Sequence, residues 1–498
     1  MSTRKKIAAA AGVAIVLSGC AVSPKALTQD EMISFADTNL AALAADQEPI
    51  SGPVSLYEAM ARALKYNLDF RVERMNQALA MGDVKLKSWE MLPSVVAAAS
   101  YSGRSNEPGG RSESLITGIQ SLEPSKSTEK NAVKADLTFS WNILDFGLSY
   151  VRARQAADKA MIARERTRKV VNRIIEDVRS AFWRAASAQR LSRAMRMLRS
   201  RIEKALRNTR RLAAAGHTEP LVALTFEREL VSIKKQLNEL ERDLKSAKAQ
   251  LALLMNVAPG TSFTLALPRK RPVMLKLKWN SERMVRMALQ NRPELREAAY
   301  RQRINTQEAN AALLELLPGV GVNAGLNWDS NDYLYNNNWV AWGAKASWNL
   351  IRVFSFPARQ QQIRAKEDLL KAQAQALAMA IIAQVHISRM RYLYQRKVFR
   401  SAEEYFDVQR RILAKVRASA MQEAASEQSL IREQMNTILA ASKYDVAYAD
   451  LQNAMANVYA SLGLDPYDGP VSTSMSVKAL AAALERAWRN PMQLAMVR

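Results

Sequence analysis

The sequence repeats itself once, and each copy reads as a long helix, a pair of strands and two more long helices. Ala63-Leu64-Lys65-Tyr66-Asn67-Leu68 aligns with Ala288-Leu289-Gln290-Asn291-Arg292-Pro293 at an offset of 225, which still holds at Leu92-Pro93 and Leu317-Pro318. Further on, Ser140-Trp141-Asn142-Ile143 matches Ser347-Trp348-Asn349-Leu350 at an offset of 207, and that offset returns at Pro259 and Pro466. A duplicated unit that cannot bury its own faces belongs to an array or a barrel.

The strand pattern narrows the choice. Val133, Ala135, Leu137, Phe139, Trp141 and Ile143 alternate with Lys134, Asp136, Thr138, Ser140 and Asn142, and Val340, Trp342, Ala344, Ala346, Trp348 and Leu350 alternate with Ala341, Gly343, Lys345, Ser347 and Asn349. Each run has an upstream partner, one after Pro93 and one after Pro318. Such alternation separates a lipid face from a lumen face in a membrane strand, and equally an inner from a wet face in a soluble sheet. On the membrane reading, Phe139, Trp141, Trp342 and Trp348 face lipid, while Lys134, Asp136, Lys345 and Asn349 face the lumen. Trp328, Trp339, Trp342 and Trp348 then bracket the second hairpin as an interfacial girdle. Four strands cannot close a membrane barrel, because the smallest have about eight and no edge can stay unpaired in lipid. The chain must then oligomerise, and three copies supply twelve strands.

After Gly147 neither Pro nor Gly appears until Gly216, so nearly seventy residues read as helix, on the order of 100 Å at ~1.5 Å per residue. Leu191, Met195, Leu198, Ile202, Ala205, Thr209 and Leu212 form a seam, and Leu230, Ile233, Leu237, Leu240, Leu244, Ala247, Leu251 and Leu254 form its antiparallel partner. Gly216, His217, Thr218 and Glu219 make the first hairpin turn; Ser419, Ala420, Met421 and Glu423 make the second. The resulting organisation is a signal peptide at 1–19, an N-terminal linker at 20–55, and a first repeat at 56–259. Within that repeat the strands are expected at 94–102 and 132–144, and the helices at 148–215 and 219–256. A linker at 260–280 leads to a second repeat at 281–466, with strands at 319–328 and 339–350 and helices at 357–418 and 423–462. A tail with a short helix follows at 467–498.

The N-terminus carries Arg4, Lys5 and Lys6, then an apolar run from Ile7 to Leu17, too short to span a bilayer and laid out as an export signal. Leu17-Ser18-Gly19-Cys20 resembles the bacterial lipobox, and Cys20 is the only cysteine, so lipidation there is expected and an intramolecular disulfide is excluded. Ala21, where an inner-membrane lipoprotein usually carries Asp, implies sorting to the outer membrane.

In the order and spacing of these features the chain resembles the TolC-type outer-membrane efflux proteins, from about Leu56 to Pro466. The resemblance rests on the duplicated Leu-Pro before a strand, on the strand ending Ser140-Trp141-Asn142-Ile143-Leu144-Asp145-Phe146-Gly147, and on Gly216 at the tip. It implies a mainly α fold with a small β part: long-helix hairpins forming a tunnel, and four antiparallel strands given to a twelve-strand barrel. It implies a homotrimer lodged in outer-membrane lipid, working with a periplasmic adaptor (a membrane fusion protein) and an inner-membrane transporter. It also makes the two helical turns the place of the gate and of adaptor contact. The second repeat departs from the pattern, with Ile351-Arg352-Val353 in place of Asp145-Phe146-Gly147 and no glycine at its tip.

No chemistry of a catalytic kind stands out. His217 and His386 are the only histidines, no cysteine neighbours them, and no glycine-rich phosphate loop occurs, so neither a catalytic residue, a metal nor a cofactor is expected. The chain carries 72 Lys and Arg against 47 Asp and Glu, and 19 against five between Ser149 and Ala215. Export argues against a nucleic-acid partner; a solvated helix face and a tunnel lining for anionic cargo both fit the excess. A non-pore periplasmic coiled-coil adaptor or scaffold lipoprotein is the alternative function.

Overall fold

The computed structural model describes residues 24–44, 47–216, 219–258, 261–267, 280–422, 426–464 and 475–489. Cys20, His217, Thr218 and Glu423 lie outside these residues. The elements run α1 (Gln29–Ala44), α2 (Leu56–Tyr66), α3 (Leu68–Trp89), β1 (Ser94–Gly103), a two-residue ribbon β2 (Gly109–Gly110) and β3 (Ser125–Lys126), and β4 (Asn131–Asn142). They continue through α4 (Ile143–Ala214), α5 (Pro220–Leu254), α6 (Ser281–Asn291), α7 (Pro293–Leu314), β5 (Gly319–Asp329), β6 (Asn338–Ser347), α8 (Ile351–Met421), α9 (Glu427–Ser461) and α10 (Val477–Arg489). The fold is mainly helical, with one small antiparallel sheet.

The first helix of each repeat is broken where the sequence read as one. Asn67 turns to extended backbone between α2 and α3, and its side chain accepts from the N–H of Phe70 at 3.1 Å. At the equivalent place Arg292 is extended and Pro293 opens α7, where its missing N–H costs nothing. A side-chain cap in one copy and a proline in the other give the same bend.

The long helices begin earlier than their breakers suggest. Asn142 ends β4, and its Oδ1 accepts from the N–H of Leu144 at 3.0 Å, so α4 starts at Ile143 and Gly147 sits inside it. The strand expected to reach residue 144 therefore stops at Asn142. In the second repeat β6 ends at Ser347, short of 350, and α8 starts at Ile351 with Pro357 inside it. The bonds from the N–H groups of Arg352 and Val353 to the carbonyls of Asn349 and Leu350 set that start.

Helices α4 and α8 hold 72 and 71 residues, and α5 and α9 hold 35 each, so a return helix covers only half of its partner. The other half packs on α3 in the first repeat and on α7 in the second, while α4 also packs on α7 and α9 and so joins the repeats. One core lies where α2, α4, α6, α8, α9 and α10 converge, with Val178, Phe182, Met284, Tyr392 and Leu480 among its buried residues. The second core runs towards the tip through Leu191, Met195, Leu198 and Ile202 of α4, Leu230, Ile233 and Leu237 of α5, and Ile431 and Met435 of α9. Leu212, at the end of the α4 seam, is exposed. The C-terminal helix is held by a buried cation: Trp488 lies over the guanidinium of Arg179 at 4.1 Å, and burial draws the Arg179 pKa down to about 10, so it stays charged at neutral pH.

Part of the basic run of α4 is matched across helices. Arg166 pairs with Glu297 of α7, Arg173 with Asp69 of α3, Arg190 with Asp445 of α9, and Arg199 and Arg210 with Glu241 and Glu227 of α5. These pairs account for part of the run as helix-to-helix matching.

Candidate pore elements: sheet faces and helical tip

The four main strands form one open sheet in the order β1-β4-β5-β6, so the two repeats' hairpins are joined through β4 and β5. Residues directly opposite in an antiparallel sheet share a face. Val95, Phe139, Ala324 and Trp342 form one such row, and Trp141, Val322 and Ala344 another on the same side. Asn142, Gly321 and Lys345 lie on the opposite side, as do Ala98, Asp136, Asn327 and Trp339. The sheet thus has an apolar face holding Phe139, Trp141 and Trp342, and a more polar face holding Lys134, Asp136 and Lys345. Lys134 pairs with Asp329 at 3.1 Å, and Asp136 accepts from Thr138 Oγ1 at 2.9 Å.

Three assignments change. Trp348 and Asn349 stand beyond the end of β6, and the Trp348 indole donates to the Leu316 carbonyl at 2.9 Å, tying the strand's exit to the end of α7. A residue past the strand has no fixed face, so neither Trp348 as lipid-facing nor Asn349 as lumen-facing follows from the pleat. Trp339 shares the polar side with Asp136, opposite Trp328 and Trp342, because odd and even positions of one strand point apart. Among the described residues, the outer strands β1 and β6 each leave one edge unpaired.

At the other end of the molecule Gly216, at φ +71°, ends the α4 hairpin arm with open space around it, so its backbone conformation alone calls for glycine. Glu219 occupies the N-cap position of α5 without a side-chain cap bond, and Pro220 opens the helix. Ser419 and Ala420 lie in the last turn of α8, where the Ser419 carbonyl accepts from the N–H of Gln422 at 3.2 Å; Met421 is exposed.

The bond that joins the two hairpins near the tip was not legible in the sequence. Glu229 of α5 accepts from Arg432 Nε of α9 at 2.5 Å and from the Gln428 amide. The Arg432 bond, then the Gln428 bond, hold the Glu229 carboxyl below the usual carboxylate range. A depressed carboxylate contributes its stabilisation above its unfolded pKa and loses it as pH falls through the folded one. The link is therefore complete at neutral pH and is released only by acid. Nothing in either residue's local pattern marks it, because the partners are 203 positions apart.

Among the described residues no group of three His, Cys, Asp or Glu side chains is placed to hold a metal, and no helix is long and apolar enough to cross a membrane. The architecture is thus a long helical body carrying one small, two-faced, open sheet. Residues 59–257 match the family model for outer membrane efflux protein. Among solved structures, the Campylobacter jejuni CmeC outer membrane channel is 14% identical, with 94% of this chain and 98% of that one covered at a TM-score of 0.66. The open state of the Neisseria gonorrhoeae MtrE outer membrane channel is 15% identical, covering 84% and 94% at 0.62, and the outer-membrane channel OprN is 17% identical, covering 82% and 89% at 0.62. No curated protein is significantly similar in sequence. At such identities the structures speak for the fold, and the family match speaks for the first repeat. Residues 59–257 thus match the outer membrane efflux protein family, and the chain as a whole has the fold of these outer membrane channels.

Proposed function

We propose that the chain is one third of a passive exit duct: a homotrimer whose twelve strands form a barrel in outer-membrane lipid and whose helices enclose a periplasmic tunnel. The observation that carries this reading is the open, two-faced sheet. Its apolar side suits hydrocarbon, and its unpaired β1 and β6 edges require strands from other copies once in lipid. The duct takes small molecules or polypeptides from an inner-membrane transporter through a periplasmic adaptor that meets the tips around Gly216, His217, Thr218 and Glu219, and Ser419, Ala420, Met421 and Glu423. It catalyses no reaction, and its work is driven by the pump.

In this reading the tip opens when the hairpins part, and the Glu229–Arg432 link opposes that movement. Each partly exposed link is worth about 0.5–1 kcal/mol, so three together shift the closed–open balance by roughly ten- to a hundredfold. The purified protein in planar bilayers is expected to conduct poorly, and Glu229→Gln to conduct much more. A protein that never forms channels, remains monomeric in detergent and leaves membranes on carbonate extraction would defeat the duct reading and favour the adaptor or scaffold alternative.

Lipidation at Cys20 adds a second anchor, each buried CH₂ contributing ~0.8 kcal/mol. Mass spectrometry of the mature N-terminus is expected to show an acylated Cys20, and a mature chain beginning elsewhere would remove that anchor.

A further inference from the structure

Between α4 and α5 lies a cavity of about 330 Å³ for which the duct reading has no use. Met195 of α4, Leu244 of α5 and Phe263 of the segment after α5 give it apolar walls. Its end is fixed by Gln189, whose amide donates to the Leu265 carbonyl at 2.8 Å and whose oxygen accepts from the Leu265 N–H at 2.8 Å. That two-bond clamp holds Phe263 buried against the helices.

The rim is strongly cationic. Arg196 and Arg199 come from one helix and Lys245 and Lys248 from the other, facing a single carboxylate, Glu241. Arg199 and Lys245 both pair with Glu241. Lys248 instead lies over the Phe263 ring, 4.7 Å from its centroid, and Arg196 is exposed with no ion pair among the described residues. Two cations beside an apolar cavity thus have no anion paired with them among the described residues.

We propose that this cavity binds an amphipathic anion: one carboxylate, sulfonate or phosphate group held by Arg196 and Lys248, with an aryl or alkyl body on Met195, Leu244 and Phe263. The volume lies at the small end of ligand sites and suits a body of about one aromatic ring. Glu241 disfavours a second negative charge on the ligand, and the four cations exclude an amine. The bound molecule bridges two antiparallel helices of one hairpin. This inference goes beyond the duct reading and holds whether or not the sheet lines a pore.

The test is fluorine NMR of fluorophenylpropionate with the full chain in amphipol, beside the matching amine. Saturable broadening of the carboxylate and none of the amine is expected. Arg196→Glu and Lys248→Glu are each expected to weaken binding roughly tenfold or more, and the control Arg211→Glu, an exposed cation of α4 outside the cavity, to leave it unchanged. Arg196 is exposed, so its reversal leaves folding intact, which unchanged circular dichroism checks. Equal binding of acid and amine, binding indifferent to both charge reversals, or no binding at millimolar probe would each overturn the proposal.

Discussion

Gly463→Ala is expected to lower stability by about 2–4 kcal/mol, whereas Asn256→Gly at the equivalent position of the first repeat is expected to cost no more than about 1 kcal/mol, the worth of one exposed hydrogen bond. Gly463 follows α9 at φ +68°; its N–H donates to the Ala460 carbonyl at 3.0 Å, and the N–H of Leu464 donates to the Tyr459 carbonyl at 3.1 Å. This is a Schellman end, in which a left-handed residue lets the chain satisfy the last helical carbonyls. A Cβ there would stand 2.5 Å from the Asn291 carbonyl carbon and 2.7 Å from the Arg292 nitrogen. Those atoms belong to the α6–α7 bend, which cannot withdraw without breaking the Arg292 bond to the Ala460 carbonyl. Asn256, at the same offset of 207, ends α5 in the same way at φ +55°. Asparagine tolerates that conformation, and the Asn256 amide donates to the Leu43 carbonyl at 3.0 Å. Gly463→Asn separates the two terms: if backbone conformation alone matters, it rescues the alanine defect; if the close approach dominates, it does not. Thermal unfolding followed by helical circular dichroism reads the series, and a Gly463→Ala protein as stable as the parent would refute the account.

The same pair shows what could be read from sequence and what could not. Local periodicity made the long helices, the strands and their alternation legible, because each depends on residues a few positions apart. The duplication was legible for the same reason that its detail was not: offsets align Asn256 with Gly463, yet only contact with Asn291, 172 positions away, makes glycine obligatory in the second copy. Breakers misled where side chains outvoted them. Asn142 caps α4 ahead of Gly147, and α8 runs through Pro357 because its start is set at Asn349 and Leu350. Nor does alternation within one hairpin reveal that β4 pairs with β5, since nothing local fixes pairing between hairpins. The Glu229–Arg432 link and the cationic cavity are long-range in the same sense. Each joins residues whose charges look like ordinary solvated helix surface until the hairpins are packed.

The assignment of lipid and lumen faces is tested best by two tryptophans of one strand. Trp342 lies on the apolar side, opposite Ala324 near mid-strand and 84% exposed in the single chain; Trp339 lies on the side of Asp136 and Asn327. Trp342→Arg places a cation in hydrocarbon if the apolar side meets lipid, at about 2–4 kcal/mol per chain near the midplane. Three copies multiply that cost, so assembly into the membrane is expected to fail. Trp339→Arg makes the same change three residues away but puts the cation into water, and assembly is expected to survive with altered conductance. Lys345→Ala, also on the polar side, should likewise assemble. Trp348 is unsuited to this comparison, because its indole bond to Leu316 means that its loss would disturb the α7–β5 junction whichever way the sheet faces. Membrane fractionation and the size of the detergent-extracted particle give the readout. If both arginine variants assemble equally well, the apolar side does not meet lipid. If Trp339→Arg fails and Trp342→Arg assembles, the barrel is built with its faces reversed.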